Sequence, residues 1–539
     1  MGASDLLRVT GLNSGLDTES IISAYTSKAN LRLNKAKGSL TKNKWTQDAW
    51  KSMNSKIMSF YSGTLSKNRL SNAYTKKKTT TSNNALSVIP GAGATDGVQT
   101  AKIVKTANAA YLTSDVLKYT EEGESKVLGA DDNLVEKLSI TAGSQFSFKT
   151  KTGEEKVIQI GGEDAGDGAT VVNSMKGLAD ALKSAGVNAN YDAANGRMFI
   201  SAKTSGEKSD FAFSSVGAAF GSLDSTTAAT LGKLGLTKES GASKVDGSNA
   251  KLILNNAVFT SENNTFSING STYTINSMPA NPNEEISVTT GTDYDAVYDV
   301  IKDMIKEYNS IINEMSKAYG ADPARKYDPL TDEQKEEMTD KEIEEWETKI
   351  KDGLLSGNSQ LYDVRQAMIN VTLQGFDTDR DGKAMFGLDK NGDPIKMYLA
   401  DFGIATGGYF DTEENERYAL HIDGNPDDES TAGKEDKLKS MIASDPEKVT
   451  KFFQKFSDTM YNALFKQMSG NSNLSSIYKV YNDKQLSKEE SDWETKIKDI
   501  EQEISDIEDK WYDKFTTMEK ALANMNSNQS AVSSMLGMR

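Results

Sequence analysis

Imidazole is the usual general base near neutral pH and the commonest metal ligand, and this chain has one histidine, His421. It stands in Tyr418-Ala419-Leu420-His421-Ile422-Asp423-Gly424, which reads as a short strand running into a turn. Any serine triad would pass through it, and no Gly-x-Ser-x-Gly elbow accompanies it, so a satisfied structural side chain is the better reading. There is no cysteine, which excludes disulfides, thiolate metal sites and cysteine nucleophiles. Asp377-Thr378-Asp379-Arg380-Asp381-Gly382 imitates the start of an EF-hand loop, yet Leu388 stands where the bidentate Glu belongs. A turn of Asp and Gly is the plainer explanation. Gly91-Ala92-Gly93-Ala94-Thr95-Asp96-Gly97 has neither dinucleotide-fingerprint spacing nor a P-loop ending, and reads as a loop. Paired carboxylates support glycoside hydrolysis, but among 78 acidic residues the sequence singles out no pair. The expectation is a protein that is not an enzyme, with no catalytic residue, no cofactor and no metal site.

Bulk properties narrow the class further. A chain of 539 residues exceeds what one core usually organises, so two to four domains are expected. Hydrophobic residues make up 37% and charged residues 26%, which suits modest cores. The formal charge of -16 argues against a broad basic face for nucleic acid. Lys76-Lys77-Lys78 is a short basic run that reads as a solvated element end. No stretch approaches the ~20 apolar residues of a membrane span, so no membrane insertion is expected. Met1 to Ser20 lacks a basic-then-apolar stretch and a small-residue cleavage site, so a cleaved secretory signal is not expected either.

The elements that would carry function lie at the two ends. From about Ser20 to Arg69 the chain is polar, proline-free and rich in helix formers. Ile22, Ala29, Leu33, Ala36 and Leu40, then Trp50, Met53, Ile57 and Phe60, step by three, four or seven, as in a coiled-coil seam. The stripe weakens from Lys42 to Gln47, where a break or a change of partner is expected, and Asp17 or Thr18 can cap the start. At the other end Trp493, Ile497, Ile500, Ile504, Ile507 and Trp511 alternate steps of four and three. Phe515 inserts a stutter before Met518, Leu522 and Met525. A seam this thin needs another helix, and the N-terminal one is the obvious partner. The same stripes also suit a long helix folded back within one globule.

The middle differs. Ser144 to Lys149 and Lys156 to Ile160 read as a hairpin, and Thr265 to Ile275 as a second one turning on Asn269-Gly270. Val171 to Ala185 reads as an amphipathic helix and Arg197 to Ser201 as a strand. Helices are expected again from Tyr294, over Thr331 to Lys351, over Gln360 to Leu373 and from Pro446. The fold class is therefore α+β multidomain, with long N- and C-terminal helices enclosing inserted β-rich domains. The expected parts are 1–78, a disordered or helical leg, and 79–292, two β-rich head domains with the inner one at about 115–240. They are followed by 293–470, a helical bundle with a glycine-rich insertion at 375–424, and by 471–539, a C-terminal coiled-coil helix. The contact residues of the end helices would be Ile22, Leu33, Leu40, Ile57, Phe60, Trp493, Ile497, Ile500, Ile504, Ile507, Trp511, Phe515, Met518 and Leu522.

Several stretches, in order, carry a family resemblance. They are Gly11-Leu12-Asn13-Ser14-Gly15-Leu16-Asp17-Thr18-Glu19-Ser20-Ile21-Ile22 near the start and Trp511-Tyr512-Asp513-Lys514-Phe515-Thr516-Thr517-Met518-Glu519-Lys520-Ala521-Leu522 near the end. The tail Met525 to Ser530, the module Ala169 to Ser201 and the run Tyr327 to Met338 add to them. Together they resemble the flagellar filament-capping family, the hook-associated protein 2 family, over essentially the whole chain; the long Gly375 to Gly424 segment departs from its pattern. The resemblance implies export through the flagellar type III channel, with a chaperone bound before secretion. It implies a homo-oligomeric ring, often pentameric, at the extracellular filament tip, promoting insertion and folding of flagellin near the hook-associated junction proteins. Rival readings are another axial protein, such as a junction protein or a flagellin, and an adhesin binding host glycans. In the favoured reading the two termini are unfinished halves completed by neighbouring molecules.

Overall fold

The computed structural model describes residues 14–91, 93–163, 168–408, 412–470 and 475–535. Gly11, Leu12 and Asn13 of the opening motif, Ala92 of the glycine run and residues 409–411 of the glycine-rich segment lie outside these, as do the chain ends 1–13 and 536–539. The chain forms two compact units: Met1–Thr75 with Tyr294–Arg539, and Lys76–Asp293.

The first unit is helical. Its N-terminal helix, Thr18–Ser59, starts where the Asp17 carboxylate accepts the Ser20 N–H at 3.0 Å, closing an otherwise open first turn. The helix does not break between Lys42 and Gln47; of the two expectations there it is the change of partner that is met, since Leu33 to Leu40 pack on the C-terminal helix and Trp50 onward enter the bundle core. The irregularity comes later, as a π-helical stretch at Phe60–Leu65 followed by Ser66–Asn68. The C-terminal helix, Asp483–Met535, runs 53 residues, about 80 Å at ~1.5 Å per residue. Between these helices in sequence lie Tyr294–Gly320, Ser359–Leu373 and Pro446–Gly470. Asp445 caps the last, accepting the Lys448 N–H at 3.0 Å, with Pro446 in the first turn where its missing N–H costs nothing.

One core joins Trp50 to Tyr74 of the N-terminal segment to these helices and to Val480 and Tyr481. The expected single helix over Thr331 to Lys351 is two, Asp332–Glu336 and Asp340–Asp352, because Thr339 starts a new capping box with Glu342. The glycine-rich segment is pinned by aromatics: Phe376 and Phe402 pack on Phe452, ring centroids 5.4 and 4.4 Å apart.

The second unit is β-rich and holds two cores. One lies beneath a five-stranded antiparallel sheet in the order Lys77–Thr81, Ile286–Thr292, Gly97–Lys105, Ala250–Leu254, Ala257–Ser261, with the three-stranded sheet of Thr265–Ile268, Ser271–Ile275 and Leu86–Pro90. Asn269 and Gly270 turn the hairpin with φ of 47° and 75°, the positive pair a type I′ turn requires. The other core, Ala110 to Leu236, is enclosed by two four-stranded sheets and the helix Met175–Ser184. That helix begins four residues later than Val171, since Thr170–Val172 pairs in parallel with Glu155–Ile160 and Ser174 supplies the cap. The Ser144–Thr150 and Glu155–Ile160 strands form the expected hairpin.

Candidate functional site

The end helices lie antiparallel against each other as a two-helix leg. Leu33, Ala36, Ile497 and Ile500 form its buried seam, with Leu40, Trp493 and Ile504 packed at the margins. Farther along, Tyr25 stacks on Trp511, ring centroids 4.0 Å apart, and Ser14 donates its backbone N–H to Glu519 at 3.2 Å. Charge selects the pairing. Thr18–Ser59 carries eight Lys and Arg against two acidic residues, whereas Asp483–Met535 carries thirteen acidic against seven basic. Arg32 meets Glu503 at 2.6 Å and Lys37 meets Glu501 at 3.3 Å. Lys44 lies 3.5 Å from Glu490 and 3.7 Å from Glu494.

Where the apolar stripe lapses, the seam is polar and still closed. Asn43 is buried and donates to Glu489 at 3.3 Å, and Gln47 donates to Glu490 at 2.7 Å. The Gln47 amide, helped by Lys44, holds the Glu490 carboxyl below its ordinary range. A polar layer of this kind lowers seam strength but penalises register shifts, because a slipped helix leaves a buried amide unpaired.

The fourteen expected contact residues fall into three groups. Ile22, Leu33, Ile497 and Ile500 are buried, and Leu40, Trp493 and Ile504 half-buried, within the leg. Ile57 and Phe60 are fully enclosed in the bundle core instead, which leaves them no surface for a partner. Ile507, Trp511, Phe515, Met518 and Leu522 are half-buried as well, and beyond them Met525, Val532 and Met535 are open.

The remaining chemical candidates are structural. His421 lies on the strand Leu420–Ile422, and its Nδ1 meets Asp428 Oδ2 at 2.6 Å. The Ser430 hydroxyl, at 3.4 Å, approaches that same nitrogen. A triad needs the serine on the opposite nitrogen, so the arrangement cannot pass a proton from Ser430 through the ring to Asp428. Nε2 is buried without a partner, so only one of the two nitrogens is satisfied. Burial pushes the Asp428 carboxyl up, but its bonds from Ser430 and His421 outweigh this and hold it below the usual range.

The Asp379 carboxylate accepts the N–H groups of Asp381 at 2.8 Å and Lys383 at 2.9 Å, making a turn. Asp389 repeats the pattern with Asn391 and Asp393 at 2.8 and 2.9 Å, a duplication the sequence reading missed although Asp-x-Asn-Gly follows Asp-x-Asp-Gly by ten residues. Among the described residues no cluster of three His, Asp or Glu could hold a metal ion, and no helix is long and apolar enough to cross a membrane.

With the leg described, comparison with known proteins decides the family. The family model "Flagellar hook-associated protein 2 C-terminus" matches residues 247–527, more than half of the chain. The chain belongs to the flagellar hook-associated protein 2 family. The family's N-terminus model matches residues 14–110, so the N-terminal helix of the leg and the C-terminal one as far as residue 527 fall within matched stretches. Flagellar hook-associated protein 2 of Halalkalibacterium halodurans is 22% identical over 373 residues, 66% of this chain and 67% of that protein. Its counterpart from Thermotoga maritima is 25% identical over 258 residues, 47% of this chain and 36% of the relative's length. Among solved structures, the D1–D2–D3 domains of the Escherichia coli flagellar cap protein share 18% identity, with 78% of this chain and 96% of that chain covered and a TM-score of 0.45.

Proposed function

We propose that this chain is the structural cap at the distal end of a bacterial flagellar filament. Copies form a homo-oligomeric ring outside the cell that promotes insertion and folding of exported flagellin. The partners in this reading are further copies of the chain, flagellin, the hook-associated junction proteins and an export chaperone before secretion. In this reading the helices Thr18–Ser59, up to about Gln47, and Asp483–Met535 supply the leg, 50–75 with 294–470 the bundle, and 76–293 the β-rich head.

Beside the family membership, one observation supports the reading: the seam from Ile507 to Leu522 is only half-buried, and Met525, Val532 and Met535 beyond it are exposed when the chain is alone. Exposed apolar seam residues on a helix are stabilised by a further helix, and in a ring or at a filament end neighbouring molecules supply it. Ile22, Leu33, Leu40, Trp493, Ile497, Ile500 and Ile504 hold the leg together, and Ile507, Trp511, Phe515, Met518 and Leu522 meet neighbours. Ile57 and Phe60 anchor the leg to the bundle.

Deleting the gene tests the function directly. Flagellin monomer is expected in the medium, with filaments short or absent; intact filaments of normal length would sink the reading. Removing Trp511 to Arg539 is expected to abolish ring assembly while the bundle and β-rich unit stay folded by circular dichroism.

A further inference from the structure

The leg carries two lines of charge that its own pairing leaves unused. On the N-terminal helix Lys28 and Lys35 stand seven residues apart outside the seam, and Lys42 continues the line. On the C-terminal helix Asp492, Asp499, Asp506 and Asp513 repeat at the same interval. Seven residues of helix rise about 10.5 Å, so the two lines share one spacing. Lys42 is already engaged by Asp328 at 2.7 Å. Lys28, Lys35 and the four aspartates are exposed, and among the described residues none has an ion-pair partner; Asp506 accepts the Gln502 side-chain amide at 2.8 Å, a neutral bond that leaves its charge unmatched. They differ in this from Arg32, Lys37, Lys44 and their glutamates, which bridge the two helices.

Antiparallel pairing fixes their heights. Tyr25 lies level with Trp511, Arg32 with Glu503, and Lys44 between Glu490 and Glu494. Interpolation puts Lys28 level with Asp506 and Lys35 level with Asp499. At about 100° per residue both lines flank the edge where Arg32 meets Glu503, one leaning outward from each helix. Placed side by side, two legs therefore set the aspartate line of one against the lysine line of the next. Rotation about an axis parallel to the legs leaves height unchanged, so the charges meet without any axial shift.

We infer that neighbouring copies in the ring are joined leg to leg, Asp499 and Asp506 of one copy pairing with Lys35 and Lys28 of the next. This rests on the ring reading above and names the surface that ring would use. The contact is heterologous, one surface against a different one, which is the kind that closes into a ring when the rotation allows. Its charges are solvent-exposed, so it steers and selects neighbours and weakens as salt shortens the screening length.

Two charge-reversed full chains test it, Lys28→Glu with Lys35→Glu, and Asp499→Lys with Asp506→Lys. Each is first checked for wild-type helicity and melting. In sedimentation velocity at ~0.1 M salt, each alone is expected to associate about tenfold more weakly than wild type, because attraction becomes repulsion at both levels. Mixed one to one, each variant offers the other the complementary line, and association is expected to recover. Only a contact between copies gives that rescue. A wild-type ring that neither reversal weakens, or a loss that mixing does not restore, would overturn the charge lines alone. A wild-type chain that stays monomeric at every concentration would overturn the ring reading, and the inference with it.

Discussion

Replacing Ile500 by alanine is the sharpest test of how this leg is held. Ile500 is 6% exposed, packed with Leu33 and Ala36 in a thin seam. An Ile-to-Ala change in a core costs ~2–5 kcal/mol, and a two-helix seam open on both sides collapses easily, so the low end, about 2 kcal/mol, applies. At ~1.4 kcal/mol per tenfold, that raises the open population of the leg about thirtyfold.

Hydrogen exchange read by mass spectrometry resolves this, because exchange from a local opening reports the free energy of that opening alone. Amides in 25–44 and 490–511 are expected to exchange about thirtyfold faster, and amides in 297–315 and 449–468 to be unchanged. The control is Ile312→Ala, fully buried in the bundle core, where ~4 kcal/mol is lost. There the bundle amides accelerate and the leg amides do not. Should either substitution speed both regions equally, leg and bundle unfold as one, and a separately held leg is the wrong description.

Three further outcomes follow from particular contacts. A double-mutant cycle on Tyr25→Ala and Trp511→Ala, read as leg opening by the same exchange measurement, is expected to give a coupling of about 1 kcal/mol for the stacked rings. Asp445 caps the 446–470 helix, and its backbone bond from Lys448 holds its carboxyl below the ordinary value of 3.8. A depressed carboxylate contributes stability above its unfolded pKa and loses it as pH falls through the folded one. In urea titrations Asp445→Ala is therefore expected to cost about 1 kcal/mol at pH 7, and less and less as pH drops below ~4. Gly270→Ala forces a side chain onto a φ of 75° in the hairpin turn; thermal melting is expected to show about 1 kcal/mol lost in the β-rich unit.

Much of the leg was legible because a helix seam is written in local spacing. The faultless run from Trp493 to Trp511 marks one face, and that face is the one turned to the N-terminal helix. Spacing names a face, however, and not its partner. Ile57 and Phe60 resume the stripe of Ile22 and Leu33 after its lapse, yet they enter a different core, since the bundle helices arrive there from residues some 240 or more positions away.

At Lys42 to Gln47 the stripe does change partner, from the C-terminal helix to the bundle, but the helix does not break. Counting only apolar residues overlooks Asn43 and Gln47, which sit at seam positions and find their partners in Glu489 and Glu490. The opposed charges of the two helices were also readable in the sequence and would have indicated the pairing. In the glycine-rich segment the deciding contacts run from Phe376 and Phe402 to Phe452, across 76 and 50 positions of chain, where no local period reaches.

The contrast between leg and bundle bears on the ring itself. A leg as densely packed as the bundle would have little to gain from a neighbour, and its assembly would rest on surface charge alone. A leg with no seam would cost a neighbour the whole entropy of ordering two long helices. A short apolar seam, a polar layer and one aromatic stack lie between these limits: enough to fix antiparallel register and hence the heights of Lys28 and Asp506, too little to bury Ile507 to Leu522 fully. Binding to such a leg stabilises it by mass action, so order at the Ile507 to Leu522 end should rise with protein concentration. Exchange at those amides, measured across the concentration at which wild type associates, should slow in step with association. Protection there that ignores concentration would mean the half-open seam is indifferent to neighbours, and the cap reading would lose the physical ground argued for it.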